Sequence, residues 1–92
     1  MSPLSESEIS LRLASVPSWR VEDGILVRTF AFSDFRAALA FVNKVGEAAE
    51  QAGHHPDIDI RYNRVRLSLV THDANGLTGK DFDLAAQADA IA

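Results

Sequence analysis

Apolar and polar positions change period several times along the chain, and each change marks an element. In "SPLSESEISLRLA", Ser5 and Glu8 stand three residues apart as a capping box whose side chains can satisfy the free amides of a first helical turn. Leu4 and Ile9 suit the staple around that box, and Leu13 follows Ile9 by one turn. The spacing predicts a helix from Glu6 to Ala14 that stops before Pro17. In "WRVEDGILVRTFAF", Asp23-Gly24 parts two β-prone runs, because glycine tolerates the positive φ of a tight turn. Strands are expected over Trp19–Glu22 and Ile25–Phe32.

Helical period returns in "SDFRAALAFVNKVGEAAEQAG". Ser33 is the expected cap, with Phe35, Ala38, Leu39, Val42, Val45 and Ala49 on one face and Gly53 at the left-handed end position. After Pro56, "DIDIRY" alternates strictly, with Ile58, Ile60 and Tyr62 facing one way, so Tyr62 reads as core. Asn63 fits a turn. "RVRLSLVTH" then places Val65, Leu67, Leu69 and Thr71 inward and Arg64, Arg66, Ser68, Val70 and His72 outward. "DANG" reads as a loop, and Thr78 with Asp81 forms a second capping box opening a helix through Phe82, Leu84, Ala85, Ala88 and Ile91.

The order is α-β-β-α-β-β-α. Two hairpins force antiparallel pairing, so the expected fold is α+β, a four-stranded antiparallel sheet with three helices packed on one face. Its 92 residues make a single domain spanning 1–92. A core of that size leaves association between subunits as a natural source of stability.

Composition narrows the function. A formal charge of −4 leaves no basic field to hold a nucleic-acid backbone, and Arg61, Arg64 and Arg66 read as a solvated strand face. No cysteine is present, which excludes disulfides, thiolate nucleophiles and thiolate metal sites. The polar, acidic start lacks the regions of a signal peptide, and no apolar run approaches the roughly 18 residues of a membrane span. A soluble, cytoplasmic protein is the expectation, with neither membrane nor nucleic acid as partner.

All three histidines fall within "EQAGHHPDIDIRYNRVRLSLVTHD". One reading is three unrelated polar side chains. A second is a metal site, against which stands geometry: adjacent residues of extended chain point to opposite sides, so His54 and His55 would not both aim at one ion. No zinc-type spacing such as a His pair at i, i+4 occurs either. The third is acid–base chemistry without metal, for which an imidazole titrating near neutrality is suited. In an antiparallel hairpin the start of one strand lies beside the end of the next. His54 and His55, just before the third strand, can therefore meet His72 at the end of the fourth. Glu50 lies four residues before His54, and Asp81 follows the loop that leaves His72. Either carboxylate can fix an imidazole's tautomer, although Asp81 is already accounted for as a cap and Glu50 alone would be a solvated helix face.

The pattern resembles the pterin-4a-carbinolamine dehydratase family, also called the dimerisation-cofactor family. Its signature is an acidic residue, three spacers, His, His or Asn, Pro, five or six spacers, an aromatic, nine spacers, His or Trp, and at least eight spacers before Asp. Glu50, His54-His55-Pro56, Tyr62, His72 and Asp81 satisfy every interval. Trp19, the Asp23-Gly24 turn, "FSDFRAALAFVNKV" and "THDANGLTGKDFDLA" are also similar to family sequence, so the resemblance covers nearly the whole chain.

The resemblance implies a fold of the kind read above, in homodimers or homotetramers, and a lyase that removes water from 4a-hydroxy-tetrahydropterin. The product, quinonoid dihydropterin, feeds recycling of the pterin used by aromatic amino acid hydroxylases. Carried over by position, His54 and His72 are the acid–base pair, and His55 helps hold the pterin and the leaving hydroxyl. Glu50 and Asp81 orient or charge the histidines. Pro56 shapes the pocket floor, and Trp19 is a candidate stacking surface as well as a candidate core residue. No cofactor or metal is implied. The rival reading is a non-catalytic binding module: animal relatives act as dimerisation partners of a transcription factor, and a role in assembling other enzymes is ascribed to some bacterial relatives. The full histidine and carboxylate set favours the enzyme.

Overall fold

A computed structural model describes residues 2–92. The elements run α1 (Glu6–Leu13), β1 (Arg20–Glu22), β2 (Ile25–Ala31), α2 (Phe35–Ala52), β3 (Asp57–Arg61), β4 (Arg64–Leu69), a short 3-10 turn (His72–Ala74) and α3 (Gly79–Ile91). This is the α-β-β-α-β-β-α order that the period changes predict. The sheet is antiparallel throughout in the order β1-β2-β4-β3. The two hairpins are thus joined through their second strands, from Leu26↔Leu69 to Ala31↔Arg64.

Local chemistry sets the boundaries. Both halves of the Ser5/Glu8 capping box are made, with Glu8 N–H donating to Ser5 Oγ at 3.2 Å and Ser5 N–H to Glu8 Oε1 at 2.8 Å. Asp23 and Gly24 take φ of 51° and 77°, the paired positive values of a two-residue hairpin turn. The cap of α2 is Asp34 rather than Ser33: Asp34 Oδ1 accepts from Ala37 N–H at 2.8 Å.

Alternation in β4 sorts the faces as expected. Val65, Leu67, Leu69 and, beyond the strand, Thr71 are buried, and they meet Leu26 and Phe30 of β2 under the helices. Ala38, Phe41, Val45 and Ala49 of α2 and Phe82, Leu84, Ala85 and Ala88 of α3 complete the core, while Ile9 and Leu13 of α1 pack at its margin. The opposite face of the sheet is polar, with Arg66 of β4 bonded to Glu22 of β1 at 2.9 Å.

Four residues depart from the expected pattern. In α2 the buried stripe runs through Phe41, while Phe35 and Leu39 stay exposed. Phe41 is drawn inward by aromatic partners, its ring centroid 4.6 Å from Phe30 and 4.9 Å from Phe32. Tyr62 is not core: β3 ends at Arg61, and Tyr62 takes φ of 53° in the turn and is 67% exposed. A turn closed after one residue pair needs a left-handed position, and that need overrides the strand period. Asn63 then ties the turn to the end of β2, its Nδ2 donating to the Phe32 carbonyl at 2.8 Å.

Candidate active site

The end of α2 aims the first two histidines. Gly53 adopts φ of 63° and ψ of 32°, its N–H reaching the Glu50 carbonyl and the His54 N–H the Ala49 carbonyl. These 5→2 and 6→1 bonds are the Schellman closure, which reverses the chain while satisfying two helix carbonyls. His54 then falls against α3 and His55 against the last turn of α2. His54 Nε2 donates to Asp81 Oδ1 at 2.5 Å, and His55 Nε2 donates to Glu50 Oε2, also at 2.5 Å. The adjacent imidazoles diverge, as extended geometry requires.

Asp81 is the most engaged carboxylate in the molecule. Wholly buried, it accepts through Oδ1 from His54 and through Oδ2 from Thr71 Oγ1 at 2.8 Å and the Thr78 N–H at 2.9 Å. Thr71 has one hydroxyl proton, which goes to Asp81, so the Thr78 hydroxyl donates to Thr71 Oγ1 across 2.8 Å. The acidic half of the capping box therefore also orients a histidine. No buried side-chain polar atom lacks a partner among the described residues.

His72 arrives by a different route. Register pairs Asp57 with Ser68, so His72 lies four positions past that partner, at the start of the 3-10 turn. Thr71 N–H bonds to the Gly76 carbonyl at 3.1 Å, and the Thr71–Gly76 bridge closes the loop that carries His72. A side chain at Gly76 would put its Cβ 2.8 Å from that of Pro3, so this loop also needs its glycine for the N-terminal segment to pass.

One open cavity of about 240 Å³ gathers His54, His55 and His72, with Gly53, Val70, Thr71, Asp73 and Lys80. Glu50 and Pro56 lie outside it, in a neighbouring cavity of about 400 Å³ that shares His55 and is otherwise walled by α2 and Ile58. Trp19 is remote from both. It is buried in the core edge-on to Phe30, at 5.9 Å between centroids, and its Nε1 donates to Asp89 Oδ1 at 2.8 Å. Among the described residues no three His, Asp or Glu side chains are placed to hold a metal ion, and no helix is long and apolar enough to cross a membrane.

Reading the sequence missed Thr71, Thr78 and Lys80. Thr71 showed only an inward position at the end of β4. Thr78 is legible as a cap but not as a hydroxyl donor to Thr71, and no sequence pattern singles out Lys80.

Residues 2–91 match the sequence profile of the family described as Pterin 4 alpha carbinolamine dehydratase. Relatives from Acidobacterium capsulatum and Chloroflexus aurantiacus, each named "Putative pterin-4-alpha-carbinolamine dehydratase", are 62% identical over 91 residues. The alignments cover 99% of this chain and 99% and 98% of those proteins. Among solved structures, the transcriptional coactivator/pterin dehydratase from Brucella melitensis superposes with a TM-score of 0.95 at 36% identity, covering 99% of both chains. A pterin dehydratase-like protein described as a RuBisCO assembly factor in the alpha-carboxysome matches at a TM-score of 0.69 and 26% identity, over 80% of this chain and 88% of that one. The full-length match, together with the histidine and carboxylate spacing, makes this chain a member of the pterin 4 alpha carbinolamine dehydratase family.

Proposed function

We propose that the chain is a metal-independent dehydratase that converts 4a-hydroxy-tetrahydropterin to quinonoid dihydropterin. The observation that carries this reading is that His54, His55 and His72 all line one cavity. Elimination needs a proton delivered to the C4a hydroxyl and one removed from N5. A protonated imidazole gives its proton to the hydroxyl, the C4a–O bond breaks and water leaves. A neutral imidazole takes the N5 proton as the C4a=N5 double bond forms. His54 and His72 fill these two roles, and His55, held by Glu50, steadies the heterocycle and the departing hydroxyl. Asp81 engages Nε2 of His54 and so leaves Nδ1 as that ring's free nitrogen. Positioned acid–base groups supply about 10²- to 10⁴-fold in rate.

Stopped-flow decay of 4a-hydroxy-tetrahydropterin tests the proposal. The parent accelerates it, and His54→Ala and His72→Ala each lose at least tenfold of that acceleration while keeping the parent's circular dichroism. No acceleration by folded parent protein sinks the reading.

A second reading, a binding module that assists another protein, is favoured by one feature. Phe35, Leu39 and Tyr62 expose apolar surface around a shallow cavity of about 440 Å³ on the α2 side, well away from the histidines. The same surface suits association of this chain into homodimers or homotetramers, checked by sedimentation of the parent beside Leu39→Glu. The two functional readings part on His54→Ala, which cuts turnover at least tenfold in the first and leaves partner binding untouched in the second. A cytoplasmic setting fits both.

A further inference from the structure

We propose that Lys80 is the substrate-anchoring cation of the histidine cavity, its ammonium donating to the C4 carbonyl oxygen of the bound pterin. This rests on the dehydratase reading for the identity of the heterocycle, but its evidence is separate.

The chain has nine lysines and arginines. Arg12, Arg20, Arg28, Arg61 and Arg66 are in ion pairs with Asp83, Glu22, Asp89, Asp59 and Glu22. The four others, Arg36, Lys44, Arg64 and Lys80, are unpaired among the described residues, and of these only Lys80 lines the cavity of the three histidines. Its position in α3 works against it. Lys80 is the second residue of that helix, in the turn where the peptide dipoles present positive charge and disfavour a cation. The adjacent carboxylates give no relief. Both oxygens of Asp81 are committed to His54, Thr71 and Thr78, and Asp83 is turned to Arg12 at 2.9 Å. Asp73 shares the cavity but forms no ion pair with Lys80.

An ammonium is a donor only, with three N–H groups and no lone pair. A pterin offers it a carbonyl oxygen on C4, the atom next to the reacting C4a. Histidines alone discriminate poorly among flat heterocycles of one size, because an imidazole can donate or accept. Lys80 reads the substituent at C4: it accepts a carbonyl and rejects an amino group, which presents hydrogens to a cation. The interaction is made in the bound ground state, so its loss appears in KM more than in kcat.

Binding of 7,8-dihydropterin and of its 4-amino counterpart, a 2,4-diaminopteridine, is measured by calorimetry on the parent, Lys80→Met and Lys80→Arg. The parent is expected to prefer the 4-oxo compound at least tenfold. Lys80→Met loses that preference and raises KM for 4a-hydroxy-tetrahydropterin at least fivefold with kcat within twofold, and Lys80→Arg restores part of both. Lys80→Met melts no lower than the parent, since a cation has left a helix N-terminus. A preference that survives in Lys80→Met overturns the assignment even if affinity falls, and leaves the dehydratase reading intact. A parent that prefers the 4-oxo ring through Lys80 but does not accelerate decay overturns the dehydratase reading instead.

Discussion

Two histidine–carboxylate pairs, joined at the same 2.5 Å, differ in how deeply they lie and in what else holds them. In His54–Asp81 the side chains are 11% and 0% exposed, and in His55–Glu50 they are 61% and 74% exposed. The buried acid is held by three donors, Thr71 just past β4, Thr78 at the N-cap of α3 and His54 in the loop before β3, so its position is fixed by the fold. The exposed acid meets only the imidazole five residues further on, and water screens the contact. Distance alone would rank the pairs equal. Burial and the number of partners separate a structural post from an adjustable one.

The sharpest way to break this contrast is to alter the two acids in parallel. Asp81→Asn keeps the shape but puts hydrogens where one carboxylate oxygen accepted. The amide oxygen can still accept from Thr71 and Thr78 while the new N–H faces His54, with a cost of about 2–4 kcal/mol, since hydrogen bonds to a charged acceptor are exchanged for weaker ones to a neutral group. In a domain of this size that lowers the melting temperature by roughly 10 °C or more. It also imposes the other tautomer on His54, whose Nε2 must now accept, so turnover falls toward that of His54→Ala. Glu50→Gln is expected to shift stability by less than about 0.5 kcal/mol and turnover by a few-fold only. Thermal melts and stopped-flow decay on the same two preparations give the comparison directly. Equal losses from both substitutions would show that burial does not divide the pairs.

The sequence carried the chemistry of this region further than its surroundings. Spacing alone put His54, His55, His72, Glu50 and Asp81 at one edge of the sheet, because a Gly-closed helix, an alternating hairpin and a capping box each constrain direction as well as conformation. Where only periodicity was available the reading was looser. An apolar stripe on α2 cannot say how it is rotated over a sheet: its period favours Leu39, whereas the Phe30 and Phe32 rings turn Phe41 inward. Alternation likewise carried Tyr62 inward, since it cannot signal the residue at which a strand yields to a turn. Trp19 is a candidate stacking surface by resemblance and more often a core residue by type; its burial and its indole bond to Asp89, an acid 70 residues away, are not legible in any local pattern. Lys80 lacked a signal for the same reason, because its significance lies in the company it keeps across the cavity.

A third ion pair, far from the histidines, isolates what exposure contributes when no site depends on it. On the open face of the sheet Glu22 accepts from Arg66 and from Arg20, and these bonds, that of Arg66 foremost, hold its carboxyl below the usual glutamate range. A carboxyl lowered in the folded state stabilises the fold above the unfolded value and loses that contribution as pH falls through the lowered one. Glu22→Gln should therefore reduce the denaturant midpoint slightly at about pH 7, where the parent carboxylate is charged. As pH falls from the unfolded glutamate range through the lowered value the parent becomes protonated there too, and the two midpoints should converge. Because the group is open to solvent, the gap at neutral pH should shrink again in roughly 0.5 M salt, where charges screen within a few ångströms. A gap that persists in acid would mean the glutamine disturbs the β1 edge itself, and Glu22 would then resemble Asp81 more than Glu50.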